Sequence, residues 1–214
     1  MNSDPWLCDG KEDTLSTEPY FQQLAATIQN LPCEKIDRIV AEIVQAFEEE
    51  RTIFVFGNGG SAASASHMMC DMNKGTSSRH SRRLKVLALT DNVPLITAWA
   101  NDCGYEAVFS EQLKTFARPR DLVLAISGSG NSANVILALQ TARDLGAVTV
   151  ALTGPAGGRM KSLCDICTEV PCKNMQIVED LHHAILHSMF AAVSQRIRFG
   201  NQNACAIGAG AMRR

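Results

Sequence analysis

Three of the five histidines in the chain lie within six residues, at His182, His183 and His187. The surrounding pattern predicts a helix, on which Glu179, His183 and His187 share one stripe while His182 faces away from them. Imidazole and carboxylate groups in such a stripe are typical ligands of divalent metals. The alternative is a structural role, because a helix buried against neighbouring subunits can also carry histidines.

A second imidazole–carboxylate pair is formed by His67 and Asp71, four residues apart on another predicted helix. This spacing places both side chains on one face, where they can bind one metal ion or form a surface pair worth only about 0.2–0.5 kcal/mol. The position of the pair favours a ligand role. The helix opens at Ser61, directly after a glycine-rich turn, so the pair lies one or two turns from an expected anion site.

Two turns rich in glycine and serine follow buried-strand patterns and precede helical ones: 57–61, the glycine turn, and 127–132, the serine loop. Small residues let the backbone approach an anion, while hydroxyls and free helix N–H groups donate to it. Ordinary turns also use Gly and Ser, but four hydrogen-bonding side chains in six residues of the serine loop exceed that need. Neither turn matches a nucleotide fingerprint. The pattern therefore predicts binding of a small phosphorylated metabolite.

Composition limits the class of protein before any site is assigned. The chain has 214 residues, 46% hydrophobic and 20% charged, which is typical of one soluble globular domain. A net charge of -2 argues against nucleic-acid binding, because duplex affinity depends on clustered basic residues. No apolar run approaches the length that spans a bilayer, and no basic, apolar leader precedes the domain. We therefore expect a cytoplasmic protein with no membrane partner and with reduced cysteines.

The hydrophobic pattern alternates between short buried runs and helical stretches, which indicates an α/β fold. Runs that are apolar on both faces are typical of a parallel sheet covered by helices on both sides, a three-layer sandwich of flavodoxin-like type. We expect an irregular segment at 1–16, one domain at 17–198 that begins with two helices, and a flexible tail at 199–214. Five strands are predicted, at 52–57, 84–89, 121–126, 147–152 and 165–170. Ligands of such sheets bind beyond the carboxyl ends of the strands, where both turns lie.

Several motifs, in this order, resemble the phosphoheptose isomerase branch of the sugar isomerase (SIS) domain proteins. The resemblance covers roughly residues 20–198. The motifs are Gly57-Asn58-Gly59-Gly60-Ser61, His67 with Asp71, Asn101-Asp102 with Gly104, the serine loop continued to Val135, and Glu179 with His187.

The resemblance implies a five-stranded parallel sheet and a homotetramer with active sites between subunits. It also implies conversion of sedoheptulose 7-phosphate to D-glycero-D-manno-heptose 7-phosphate through an enediol. The implied substrate-binding residues are Asn58, Gly59, Gly60, Ser61, Asp71, Asn101, Asp102, Ser127, Gly128, Ser129, Ser132 and Glu179. The implied ligands of a divalent metal, usually zinc, are His67, Asp71, Glu179 and His187, with Asp71 as the catalytic base and His187 as the acid.

Two positions depart from the family pattern. The glutamate that the family has at position 71 is an aspartate here, and Glu179 stands in place of a glutamine. Two rival interpretations stay open: a sugar-phosphate sensor or partner-binding regulator without catalysis, and a structural oligomer whose histidines only pack interfaces. Catalysis is favoured over the sensor because Asp71 and His187 keep ionisable groups.

Overall fold

Five strands form one parallel sheet in the order β2-β1-β3-β4-β5. The computed structural model describes residues 16–77 and 82–211, with side chains as far as residue 197, so nearly all of the predicted irregular segment at 1–16 lies outside the described residues. The strands are β1 (Thr52–Gly57), β2 (Lys85–Ala88), β3 (Leu122–Ser127), β4 (Val148–Thr153) and β5 (Ile166–Glu169). Each lies within two residues of its predicted bounds, and the predicted α/β class is confirmed.

Helices connect the strands and cover the sheet. They are α1 (Glu18–Ile28), α2 (Cys33–Glu48), α3 (Gly60–Gly75), α4 (Val93–Cys103), α5 (Ser110–Phe116), α6 (Ala133–Asp144) and α7 (Met175–Ala211). Two short 3₁₀ turns, Tyr105–Ala107 and Gly158–Ser162, follow α4 and β4. No helix in the described ranges is both long enough and apolar enough to cross a membrane.

The two faces of the sheet are packed by separate sets of helices, which confirms the three-layer arrangement. Ile53 and Val55 of β1 belong to a core shared with α2, α3 and α7, whereas Phe54 and Phe56 belong to a second core shared with α5 and α6. Successive side chains of a strand point to opposite faces. Both sets are therefore buried, and β1 reads as a continuous apolar run rather than an alternating one.

The glycine turn and the serine loop lie side by side at the carboxyl edge. Gly57, the last residue of β1, pairs with Ile126 of β3, and Ser127 pairs with Thr153 of β4. The strand order also reverses direction between β1 and β3, because the chain adds β2 on one side of β1 and β3 on the other. Such a switch point leaves a crevice between the two loops, which is where ligands of open parallel sheets bind.

The C-terminal segment has helical backbone as far as the structure describes it. Helix α7 continues through Ala211, and the flexibility expected for 199–214 stays a prediction. Residues 199–211 include four alanines, which favour a helix, and three glycines, which disfavour one, with no amphipathic period. A prediction that relies on hydrophobic periodicity therefore gives no helix there.

Asp121 fixes the amino ends of neighbouring strands. Its side chain is buried, and its two carboxylate oxygens accept from the backbone N–H groups of Thr52 and Arg118, each at 2.8 Å. Its own carbonyl accepts from Val148 N at 2.8 Å. This residue therefore joins the starts of β1, β3 and β4.

We expect Asp121→Ala to lower the free energy of unfolding by about 2 kcal/mol or more, because two backbone donors lose their charged acceptor. Urea unfolding followed by circular dichroism measures this change. Asp144→Ala, on the exposed last turn of α6, is the matched control and should change stability by no more than about 0.5 kcal/mol. Equal losses in the two variants would contradict the role given to Asp121.

Candidate active site

Three serine hydroxyls converge at the end of β3. Ser127 Oγ lies 3.4 Å from both Ser129 Oγ and Ser132 Oγ. Ser132 immediately precedes α6, yet its side chain makes no capping hydrogen bond to that helix. Three hydroxyls and the free N–H groups at the start of a helix form a set of neutral donors suited to an anion such as a phosphate ester.

The backbone of the serine loop is held by the loop that follows β4. Gly130 has φ of +64°, and a Cβ on it would lie 2.3 Å from the carbonyl oxygen of Gly157. Gly154 N donates to the carbonyl of Gly128 at 2.9 Å, and Met160 N donates to the carbonyl of Gly130 at 3.1 Å. Only glycine fits position 130, so the shape of the loop is determined before a ligand arrives.

Asn58 connects the glycine turn to the serine loop side of the crevice. Its amide exchanges two hydrogen bonds with the buried Asn134 of α6, at 2.9 and 2.8 Å. Tyr105 donates its hydroxyl to Asn58 Oδ1 at 3.0 Å. Asn58, predicted to bind substrate, is therefore also the residue that joins β1 to α6. Sequence reasoning missed Tyr105, although it directly follows the Asn101-Asp102 motif with its Gly104.

Asn101 and Asp102 lie at the exposed end of α4. Asn101 Nδ2 donates to Asp102 Oδ1 at 2.8 Å. They stand a few residues before Tyr105, which reaches the glycine turn, so the segment that carries them approaches the crevice. Within the described contacts, neither side chain joins the serine hydroxyls.

Three imidazoles meet where α3 packs against α7. The ligand nitrogens of His67, His183 and His187, here called the imidazole cluster, all lie within 4.8 Å of one another. His67 Nε2 and His187 Nε2 are 3.3 Å apart. Asp71 Oδ2 lies 3.3 Å from His67 Nε2 and 3.6 Å from His187 Nε2. Three of the four predicted metal ligands are thus brought together.

The histidines of α7 differ in environment. Burial, with smaller effects from the neighbouring His187 and His67, lowers the pKa of His183 below its ordinary value. His182 points away into the core, as its helical position predicts, and burial lowers its pKa to about 4. A lowered pKa keeps the imidazole neutral near pH 7, which is the form that ligates metals.

Glu179, the fourth predicted ligand, lies one turn away from the imidazole cluster. Its carboxylate packs against Gly60, whose added Cβ would be 3.4 Å from Oε2. Together with Ser61, Ser64, Ile126 and His183 it lines a polar cavity of about 190 Å³. Ile126 directly precedes the serine loop in sequence, and His183 belongs to the imidazole cluster.

Known proteins share both the sequence and the fold. The SIS domain family matches residues 19–154. The probable phosphoheptose isomerase of Thermoplasma acidophilum is 36% identical over 182 residues, which is 85% of this chain and 100% of that protein. The phosphoheptose isomerase of Akkermansia muciniphila is 37% identical over 180 residues, covering 84% and 92% of the two chains. The chain belongs to the phosphoheptose isomerase family of SIS domain proteins.

Solved structures agree with this assignment. A phosphoheptose isomerase from Francisella tularensis superposes with a TM-score of 0.79 at 28% identity, covering 83% of this chain and 96% of that one. The phosphoheptose isomerase from Neisseria gonorrhoeae gives 0.78 at 29% identity, covering 84% and 97%. This protein is therefore an isomerase with the SIS fold, as its motifs predict.

A substitution at Gly130 tests whether the backbone shape of the serine loop is fixed by its contact with Gly157. Gly130→Ala should reduce stability by about 1–3 kcal/mol more than Gly146→Ala, because only at position 130 does the new methyl group overlap backbone atoms. Gly146 is a matched control with φ of +75°, and its added Cβ would meet nothing closer than Pro119 Cβ at 3.6 Å. Both variants carry the same left-handed backbone strain. Urea unfolding measures the difference, and equal losses would show that the contact with Gly157 does not constrain the loop.

Proposed function

We propose that this isomerase interconverts sedoheptulose 7-phosphate and D-glycero-D-manno-heptose 7-phosphate. The observation that carries the proposal is that the imidazole cluster contributes His183 to the polar cavity, whose lining also includes Ile126, the residue directly before the serine loop. A phosphorylated sugar placed between the serine loop and the imidazole cluster has an anion site for its phosphate and ionisable groups for its reacting carbons. The names of the related proteins support a phosphoheptose as substrate, and the motif resemblance supplies the particular heptose.

The phosphate end of the substrate is assigned to Ser127, Gly128, Ser129 and Ser132. Binding of the phosphate far from the reacting carbons supplies binding energy and orients the sugar for the chemical step. We assign the sugar hydroxyls to the glycine turn, to Glu179 and to the Asn101–Asp102 pair, which stand around the opposite parts of the crevice.

The reaction itself is a pair of proton transfers. An aldose–ketose shift removes a proton from the carbon beside a carbonyl and returns a proton to the neighbouring carbon through an enediol. A positioned acid or base contributes about 10²–10⁴-fold to each such step. Asp71 is assigned the carbon-bound proton, and His187, whose Nε2 is 3.6 Å from Asp71 Oδ2, is assigned proton exchange with the sugar oxygens.

The donor set also fits a divalent metal, for which we propose Zn²⁺. His67, His187 and Asp71 would hold it, because imidazole nitrogens and a carboxylate oxygen suit this ion and lie within reach of one another. When bound, a divalent cation supplies Lewis-acid stabilisation of negative charge on the substrate oxygens.

Catalysis, rather than a sensor role, follows from the isomerase relatives, and the site supports it. The serine loop would serve a sugar-phosphate sensor equally well, but a sensor has no use for an aspartate beside two imidazoles.

We further propose a homotetramer. Several large apolar side chains are exposed in the single chain, including Phe21 at 60%, Val93 at 61% and Tyr105 at 56%. They lie on α1, at the start of α4 and directly after α4. These side chains are available to a subunit interface, and the family resemblance supplies the number of subunits.

Purified enzyme should convert sedoheptulose 7-phosphate to the aldose and incorporate solvent deuterium at the second carbon. Asp71→Asn and His187→Ala should each lower kcat by at least about 10²-fold, because each removes one proton-transfer group. Asp144→Asn, on the exposed last turn of α6, is the acid-to-amide control and should leave kcat unchanged. Full turnover by Asp71→Asn would exclude the assigned base.

Ser129→Ala should act on binding rather than on chemistry. Loss of one hydroxyl donor to the phosphate should raise KM by about 3–10-fold, which corresponds to about 0.5–1.5 kcal/mol per hydrogen bond, with a smaller change in kcat. Steady-state kinetics with sedoheptulose 7-phosphate measures both constants. A fall in kcat with unchanged KM would contradict the assignment of this residue to the phosphate.

Removal of metal should abolish turnover. Dialysis against a chelator is expected to leave a folded, inactive protein, and addition of one equivalent of Zn²⁺ per chain should restore activity. Metal content measured alongside activity checks the correlation. Full activity in protein shown to be free of metal would exclude the proposed metal dependence.

A further inference from the structure

We propose that His183, rather than Glu179, completes the ligand set of the metal site, so that three imidazoles and one carboxylate hold the ion. The inference rests on the metal site of the proposed function, and it departs from the ligand set implied by the family resemblance. It concerns which side chains of this chain face the ion, and it does not depend on the identity of the sugar.

The first line of support is the placement of the donor atoms. The ligand nitrogens of His67, His183 and His187 lie within 4.8 Å of one another. The three rings meet edge to face, with centroids 4.5 to 5.0 Å apart. Ligand atoms about 2.0–2.1 Å from one zinc ion lie about 3.3–3.4 Å apart in a tetrahedral site. His67 Nε2 and His187 Nε2, 3.3 Å apart, already have that spacing, and the ligand nitrogen of His183 lies within 4.8 Å of both rings' ligand nitrogens.

The second line of support is the height of each residue along the common direction of α3 and α7. Gly60 near the start of α3 lies beside Glu179, and Gly75 at its end lies beside Phe190, so α3 and α7 run in the same direction. His67 stands seven residues after Gly60, a rise of about 10 Å. His183 and His187 stand four and eight residues after Glu179, rises of about 6 and 12 Å. Along this direction His67 therefore lies at the height of His183 and His187, and not at the height of Glu179.

The carboxylate of Glu179 already has a different position. All three of its carboxylate atoms lie 3.4 to 3.9 Å from where a Cβ on Gly60 would stand, so the group rests against the glycine turn. There it faces the polar cavity, where a sugar hydroxyl can donate to it.

The ligand change alters the charge of the site. Two neutral imidazoles and two carboxylates would cancel the charge of a divalent ion, whereas three imidazoles and one carboxylate leave one positive charge. A net positive site favours the negative charge that develops on the sugar oxygens.

The test compares two variants of the full-length chain for Zn²⁺ affinity, measured by competition with a chromophoric chelator. His183→Ala should weaken binding by about a hundredfold or more, since changes to residues that merely support a ligand already cost about 10–100-fold. Glu179→Ala should weaken it at least tenfold less than His183→Ala does. A larger loss in Glu179→Ala, or equal losses, would overturn the proposal.

A second readout needs no variant. X-ray absorption at the zinc edge of the wild-type protein counts imidazole ligands, and three are expected. A count of two would overturn the proposal even if His183→Ala failed to fold. Turnover of the heptose phosphate is scored separately. If three imidazoles are counted but the protein does not turn over the heptose phosphate, the proposed reaction is wrong and the ligand assignment stands. If two imidazoles are counted and the protein does turn it over, the proposed reaction stands and the ligand assignment is wrong.

Discussion

The packing of α3 against α7 is the constraint on which the chemistry of this isomerase depends. Met68 and Met72 of α3 are buried in the same core as Leu186 and Met189 of α7. At the far end, Gly75 allows a close approach, because a Cβ there would lie 2.4 Å from the ring of Phe190. Apolar burial is not directional, but close-packed helices fix the height and rotation of the polar residues between them. The imidazoles and Asp71 meet because these apolar neighbours interlock.

The sheet supplies the other half of the site by its topology. The reversal of strand order at β1 and β3 places two loops beside each other that are 70 residues apart in the chain. The reciprocal amide pair of Asn58 and Asn134 then holds these loops at one separation. Asn134 is buried and Asn58 half-buried, so these two hydrogen bonds are partly shielded from water, where such bonds are stronger. The serine loop and the imidazole cluster are therefore held by two different parts of the fold.

The strands were predictable because burial on both faces leaves a continuous apolar run in the sequence, as in Leu122–Ser127. The order of motifs along the chain was sufficient to indicate the family. The Asn58–Asn134 pair was not predictable, because its partners are 76 residues apart and only the folded sheet brings them together. The surroundings of Glu179 could not be predicted for a related reason. One stripe on α7 contains Glu179, His183 and His187, and the sequence does not tell which of them lie beside His67 of α3.

The chemistry of the two ends of the crevice favours one orientation for the sugar phosphate that we propose as substrate. The serine loop offers neutral donors, namely hydroxyls and helix N–H groups, which accommodate a dianion without a matching cation. The opposite end contains two carboxylates, Asp71 beside the imidazoles and Glu179 beside Gly60. A sugar phosphate bound in reverse would lose the hydroxyl and helix N–H donors of the serine loop for its phosphate, and its reacting carbons would lie away from the ionisable groups. For the substrate that we propose, the orientation with the phosphate at the serine loop is therefore the one that uses both ends of the crevice, and it directs the carbon next to the carbonyl towards Asp71.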